Sequence, residues 1–176
     1  MRRVNSQQGA VLMVSLIILL VLTLIGISGA RGVLMGERMT SASRDAKIAL
    51  EIAESMSRLG EKEIAGLKKI NDFGGKNWQH DEGDGPVNIF AAETWGNTNS
   101  VAMDVPMLDP DGNPLQGRMY IERFGLASSD SIGDVDQSEK PGGDIETTVH
   151  VFKVVSRGVG IGGTERIVVT LYGKAF

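Results

Sequence analysis

The residues best placed to undergo chemistry stand at the start of the chain. Gln7, Gln8, Gly9 and Ala10 close a short polar leader that carries Arg2 and Arg3, and Ala10 to Ala30 then runs twenty-one residues without a charge. An ordinary secretory signal has its small-residue cleavage site after the apolar stretch. Here the glycine comes before it. A protease cutting after Gly9 would release residues 1–9 and leave the apolar segment as the new N-terminus. The chemistry is peptide-bond cleavage by another enzyme, with this chain as the substrate.

The remaining constellations are weaker. Asp109, Asp111 and Asn113 alternate like the opening ligands of a calcium loop, but no glutamate stands twelfth. Pro110 and Pro114 flank them, so the segment reads as a turn, with calcium as the alternative. Gly158, Gly160, Gly162 and Gly163 resemble a phosphate cradle only in their glycine count. They lie between two strand patterns, with no Lys-Ser/Thr behind them. The two histidines, His80 and His150, lack a metal-ligand spacing, and there is no cysteine. Asp130, Asp134 and Asp136 read as a solvated acidic loop. No acid–base pair or nucleophile with its base emerges, so neither an enzyme nor a cofactor is expected.

Composition narrows the class further. The 176 residues carry a formal charge of −4, which becomes −6 once the two leader arginines are removed. That balance argues against a nucleic-acid partner, which requires a basic face. At ~1.5 Å per residue, the apolar run reaches about 30 Å, the thickness of a bilayer core. Ser15, Thr23 and Ser28 can return their hydroxyls to backbone carbonyls there. Arg2 and Arg3, with no acid before Glu37, place the leader in the cytoplasm and the rest of the chain outside it.

Past Arg31 the apolar run becomes periodic. Met35, Met39, Ala42, Ala46, Ala49, Ala53 and Met56 step by four and three, the spacing of one helix face. Ile48, Ile52 and Leu59 widen it, while Arg38, Arg44, Asp45, Lys47, Glu51, Glu54 and Arg58 are assigned to other faces. One helix is predicted from about Ala10 to about Lys69, softened at Gly26, Gly29, Gly32 and Gly36. Residues 46–59 are expected to cover a sheet, and the membrane-proximal part to meet helices of other subunits. Beyond the helix, Trp78 and Trp95 are expected to pin a glycine-rich loop onto the domain. Three strands are predicted, at Arg118–Phe124, Ile145–Ser156 and Arg166–Tyr172, with Val101–Pro114 read for its turn signals and Gly125–Asp144 as a polar loop or contact surface. The fold class is α+β, a long N-terminal helix on a small antiparallel sheet. The expected divisions are leader 1–9, membrane and assembly helix 10–30, amphipathic continuation 31–70 and globular β domain 71–176.

Leader and helix together resemble a type IV pilin. Gln7-Gln8-Gly9-Ala10, followed by Val11-Leu12-Met13-Val14-Ser15-Leu16, is similar to a prepilin-peptidase site. Gly36-Glu37-Arg38-Met39, Arg44-Asp45 and Ala49-Leu50-Glu51-Ile52-Ala53-Glu54-Ser55 resemble the N-terminal block of PilX-type minor pilins. The resemblance implies cleavage after Gly9 and N-methylation of Ala10. It also implies helix packing through Gly26, Gly29, Met35, Met39, Ala42, Ala46, Ala49 and Ala53. The implied partners are the prepilin peptidase, other minor pilins, the major pilin and a tip adhesin. The chain would sit in the inner membrane with its domain in the periplasm, and then in an extracellular pilus, a fibre whose role (twitching motility, DNA uptake or cell adhesion) the resemblance leaves open.

One departure is informative. Pilins commonly carry a glutamate at the fifth mature position, and here that position is Val14. In the family this carboxylate pairs with the N-terminal ammonium of the preceding subunit, and in lipid an unpartnered one is costly. Its absence points to the pilus tip, as in the tip pseudopilin of type II secretion. A valine tolerated within the fibre is the other reading. A type II secretion pseudopilin, a single-pass anchored binding module and a tethered periplasmic enzyme remain as rivals. Replacing Gly9 with leucine should block processing. An immunoblot should then show a species larger than the mature protein, and an unchanged mature size would refute the site.

Overall fold

In the computed structural model, residues 8–127 and 148–176 are described, with Gln8 and Gly9 described by backbone alone. Helix α1 runs Gln8–Gly66. After two short 3-10 turns, Ile70–Asp72 and Ala92–Trp95, and the two-residue strand β1 (Gln79–His80), come β2 (Val101–Leu108), β3 (Pro114–Ala127), β4 (Val149–Val159) and β5 (Glu165–Ala175). The expected α+β class with an antiparallel meander is observed. Helix α1 ends three residues before the predicted Lys69, and its assignment is unbroken at Gly26, Gly29, Gly32 and Gly36.

The chain divides into two compact units, residues 1–43 and 44–176. The first is described by the α1 segment up to Ser43, whose side chains from Ala10 onward are all exposed. The second contains the core. There β3, β4 and β5 pair antiparallel in sequence order. The other edge of β3 is shared: β2 pairs antiparallel with residues 114–119, and β1 pairs parallel with Ile121 and Glu122. The sheet therefore has five strands, not three. β2 was hidden by Pro106 and by the turn residues that follow it. Its edge position tolerates proline, and a register shift between Asp104 and Leu108 accommodates the irregularity.

Glycine and alanine set the distance between helix and sheet. Ala49, Ile52, Ala53, Met56 and Ile64 are fully buried. Opposite them, Gly117 and Gly158 are cross-strand partners on β3 and β4. A Cβ on Gly158 would overlap the Ala49 carbonyl oxygen and lie 2.7 Å from the Ala53 nitrogen. One on Gly117 would lie 2.9 Å from Ile52 Cγ2, and one on Gly60 would lie 2.6 Å from Val154 Cγ1. Small residues on both surfaces thus bring two backbones together, with Met56 filling the space beside them. Ser57 Oγ and Thr170 Oγ1 hydrogen-bond at 2.8 Å across the same interface. Lys174 Nζ donates to the carbonyls of Ile64 (3.0 Å), Ala65 (2.7 Å) and Leu67, capping the helix end that has no basic residue of its own.

On β4 the residues facing the helix are Phe152, Val154, Ser156 and Gly158. The β-branched alternation at Val149, Val151 and Val155, which marks this strand in the sequence, lies on the opposite face. Ile145 and Thr147 of that pattern fall outside the described residues, as do Asp130, Asp134 and Asp136 and most of the predicted polar loop. Gly125–Ala127, predicted as its start, continue β3. Val155 is nonetheless buried, because the 71–100 segment covers part of that second face. Trp95 lies 6.1 Å from the Tyr120 ring, His80 lies 5.7 Å from it, and Arg157 stacks over Trp95 at 5.6 Å. The Tyr120 hydroxyl is consequently pushed up to about 12, by burial first and the Glu122 charge second.

Gly158→Ala should force helix and sheet apart. Overpacking of this kind costs about 2–3 kcal/mol. Thermal unfolding of the full chain in detergent, followed by tryptophan fluorescence, should show a midpoint lowered on the order of 10 °C. An unchanged midpoint would contradict the close approach.

Candidate assembly surface

Among the described residues the apolar part of the helix has no partner. Its most apolar 18-residue window has a mean hydropathy of 3.1, with no part of it buried, and it is the one described helix long and apolar enough to cross a membrane. Fourteen large apolar side chains between Val11 and Ile27 are exposed. At roughly 1.5–3 kcal/mol for burying each, leaving them in water forfeits on the order of 20–40 kcal/mol. A whole domain is stable by only about 5–15 kcal/mol. Lipid or other helices must therefore cover this surface.

Two of the three hydroxyls inside the segment are already satisfied in a way that suits lipid. Ser15 Oγ donates to the Leu12 carbonyl at 2.9 Å and Thr23 Oγ1 to the Leu20 carbonyl at 2.7 Å. Ser28, the third hydroxyl, makes no such bond. Val14 is 55% exposed on the helix, so its side chain faces whatever surrounds the segment. The Gly9–Ala10 bond lies in the first turns of α1. At Gly26 and Gly29 a Cβ would meet nothing within 4 Å, leaving open helix surface for a close neighbour.

The predicted small-residue stripe divides in two. Ala49, Ala53 and Met56 are buried under the sheet and Ala46 is half-buried, whereas Met35, Met39 and Ala42 are exposed. The exposed members share a helix face with Arg31, Leu34 and Arg38, and together they line a shallow groove.

Residues 8–58 match the PilX N-terminal family model. Over those residues the match supports a PilX-type type IV pilus minor pilin. No curated protein and no solved structure matches the chain. The PilX family is a structural pilin family, and the match together with the exposed apolar helix supports membrane anchoring and association with the pilus.

The other candidate residues of this chain occupy structural positions. Asp109 Oδ1 accepts from the backbone N–H of Asp111 (2.9 Å) and Asn113 (2.8 Å), and Asn113 Nδ2 donates to Asp109 Oδ2 at 3.2 Å. This closes the β2–β3 turn, and the Asn113 backbone bond foremost holds the Asp109 carboxyl below its ordinary value. Among the described residues no group of three or more His, Cys, Asp or Glu could hold a metal ion. His80 Nε2 hydrogen-bonds the Asn99 carbonyl oxygen at 2.9 Å. His150 packs edge-on against Phe176 with ring centroids 5.5 Å apart.

The glycine-rich turn does bind an anion, and the anion is this chain's own Asp45. The Gly162 N–H donates to Asp45 Oδ1 at 2.6 Å and the Thr164 N–H to Oδ2 at 2.9 Å. A Cβ on Gly160 would overlap the carboxylate, and one on Gly162 would lie 3.0 Å from it. Asp45 is buried, which corrects its assignment to a face other than the packed stripe. Standing four residues before Ala49, it falls on the packed side of the helix. The usable signal was an acid one turn before Ala49 together with a turn of alternate glycines.

The Thr164 side chain foremost, then the Gly162 and Thr164 N–H groups, hold the Asp45 carboxyl below its ordinary value of 3.8, against the opposing effect of burial. A depressed carboxyl stabilises the fold fully above the unfolded value and loses that contribution as pH falls through the lower folded value. Asp45→Asn should therefore unfold at a lower temperature than the wild type at pH 7, with the gap closing in acid below 3.8. A gap that does not change with pH would contradict the clamp.

Proposed function

We propose that this chain is a minor pilin that primes type IV pilus assembly with other minor pilins and sits at or near the tip. The leader is cytoplasmic and the sheet domain periplasmic. Prepilin peptidase cleaves after Gly9, Ala10 becomes the methylated N-terminus, and the apolar helix remains as a stem that can leave lipid only by entering a bundle of similar helices. The single observation that carries the reading is Val14 on an otherwise pilin-like stem. A subunit with nothing above it has no ammonium to neutralise, and a carboxylate there would stand unpaired in an apolar surround.

Gly26 and Gly29 offer the close-packing positions in the membrane part of the stem, with Met35, Met39 and Ala42 continuing the surface beyond it. The sheet domain specifies neighbours and presents a surface to a tip adhesin. Neither a cofactor nor nucleic acid enters this account.

The test is deletion of the gene followed by recovery of surface fibres, with complementation by wild type and by Val14→Glu. Deletion should abolish or sharply reduce fibres, and the protein should occur in sheared pili in traces relative to the major subunit. If Val14→Glu distributes the protein along the fibre rather than leaving it scarce, the tip reading is supported. Normal fibres in the deletion strain would refute priming. Recovery with secretion-system components instead of pilus components would favour a type II pseudopilin.

A further inference from the structure

The segment between β1 and β2 presents two apolar side chains that the described residues leave uncovered. Val87 is fully exposed and Phe90 is 82% exposed. An exposed aromatic on a slack loop would mean little, but this loop is held. The Asn88 carbonyl accepts from the Ala91 N–H at 3.1 Å and from Thr94 Oγ1 at 2.7 Å. Asn88 Oδ1 accepts from the Phe90 N–H at 3.0 Å. Trp95 Nε1 donates to the Ile89 carbonyl at 2.9 Å, and Ile89 itself packs against the core. Val87 and Phe90 thus flank Ile89, which is tied down, and both project from a preorganised loop. That is how an anchor binds with little further loss of entropy.

The charge around the loop is one-sided. Residues 81–100 contain Asp81, Glu82, Asp84 and Glu93 and no lysine or arginine. Asp81 faces Arg123 at 3.4 Å. Arg118 is used within the domain, bonding Asn97 and Ser100, and Arg157 is used beneath Trp95 and against Glu165. Glu82, Asp84 and Glu93 remain exposed beside the two apolar anchors. A complementary partner therefore presents apolar surface interleaved with positive charge.

The same chain carries such a surface. Arg31, Leu34, Met35, Arg38, Met39 and Ala42 share one face of α1 and line an open groove there. Leu34, Met35 and Met39 are more than half exposed. Glu37, the one acid between Arg31 and Arg44, lies off that face by helical spacing.

We propose that the Val87–Phe90 loop of one subunit docks on the Arg31–Ala42 helix face of a second copy. The contact joins unlike surfaces of two copies, a loop on one and a helix face on the other. It goes beyond the assignment to the pilus and does not require it, because the two surfaces are tested on purified protein.

The absence of native cysteine makes the test direct. Full-length Phe90→Cys and Met35→Cys proteins, each with a different tag, are mixed in detergent under mild oxidation, and both substituted side chains are exposed. The mixed disulfide should form at least about tenfold faster than either homodimer. It should also slow on adding salt and on replacing the second copy's Arg38 by glutamate, as charge-steered association does. The overturning result is mixed disulfide forming no faster than a Met35→Cys pairing with Asp104→Cys, an exposed site on β2. A rate unmoved by both salt and Arg38→Glu would overturn it as well. Failure here leaves the pilus assignment standing, since that is read from fibres in cells.

Discussion

An apolar helix with nothing to cover it is the constraint from which the rest follows. From Ala10 to Ser43 the side chains of α1 are all exposed, and the greasy part of that surface is too large to leave in water on any domain's stability. In the proposed function that cover is lipid before assembly and other helices within the fibre. Because van der Waals packing and lipid entropy, not the hydrophobic effect, decide between those two surroundings, small residues and helix geometry matter more there than greasiness. The proposed function gives Gly26 and Gly29 that role, and a Cβ at either would meet nothing within 4 Å.

Past Arg44 the helix obeys ordinary water-soluble rules. Alanines on one side meet glycines on the other, so that Ala49 and Ala53 lie against the Gly117–Gly158 pair at backbone distance. The packed segment begins at Asp45, whose carboxylate takes two N–H donors from the β4–β5 turn, and ends where Lys174 gathers the last helical carbonyls. Both ends of the packed stretch are thus tied to the β4–β5 hairpin by a charged side chain. A buried charge is tolerated at the first end because the turn supplies its hydrogen bonds. The glycines there owe their place to the carboxylate, not to a nucleotide.

Much of this was legible in the sequence. The uncharged run, the glycine before it and the four–three stepping of alanines and methionines predict the helix and its cover over a sheet. Trp78 and Trp95, expected to pin the 71–100 segment, are both buried. The core positions of β4 were not legible, because the visible valine alternation belongs to the face opposite the helix. Strand β2 was obscured by proline at a sheet edge. Asp45 was missed because a charged residue on an amphipathic helix is placed on the solvent side by default, and only the fold brings the Gly160–Thr164 turn against it. The docking loop was invisible for the opposite reason: Val87 and Phe90 read as ordinary apolar residues until the structure leaves them uncovered.

The central claim is that the uncovered stem stays on the mature protein and is carried into the fibre. Mass spectrometry of the N-terminal peptide of this chain, recovered from sheared pili, tests it most directly. The account predicts a peptide beginning at N-methylated Ala10. A chain beginning at Met1, or one beginning beyond Ala30 with the apolar segment discarded, would contradict it.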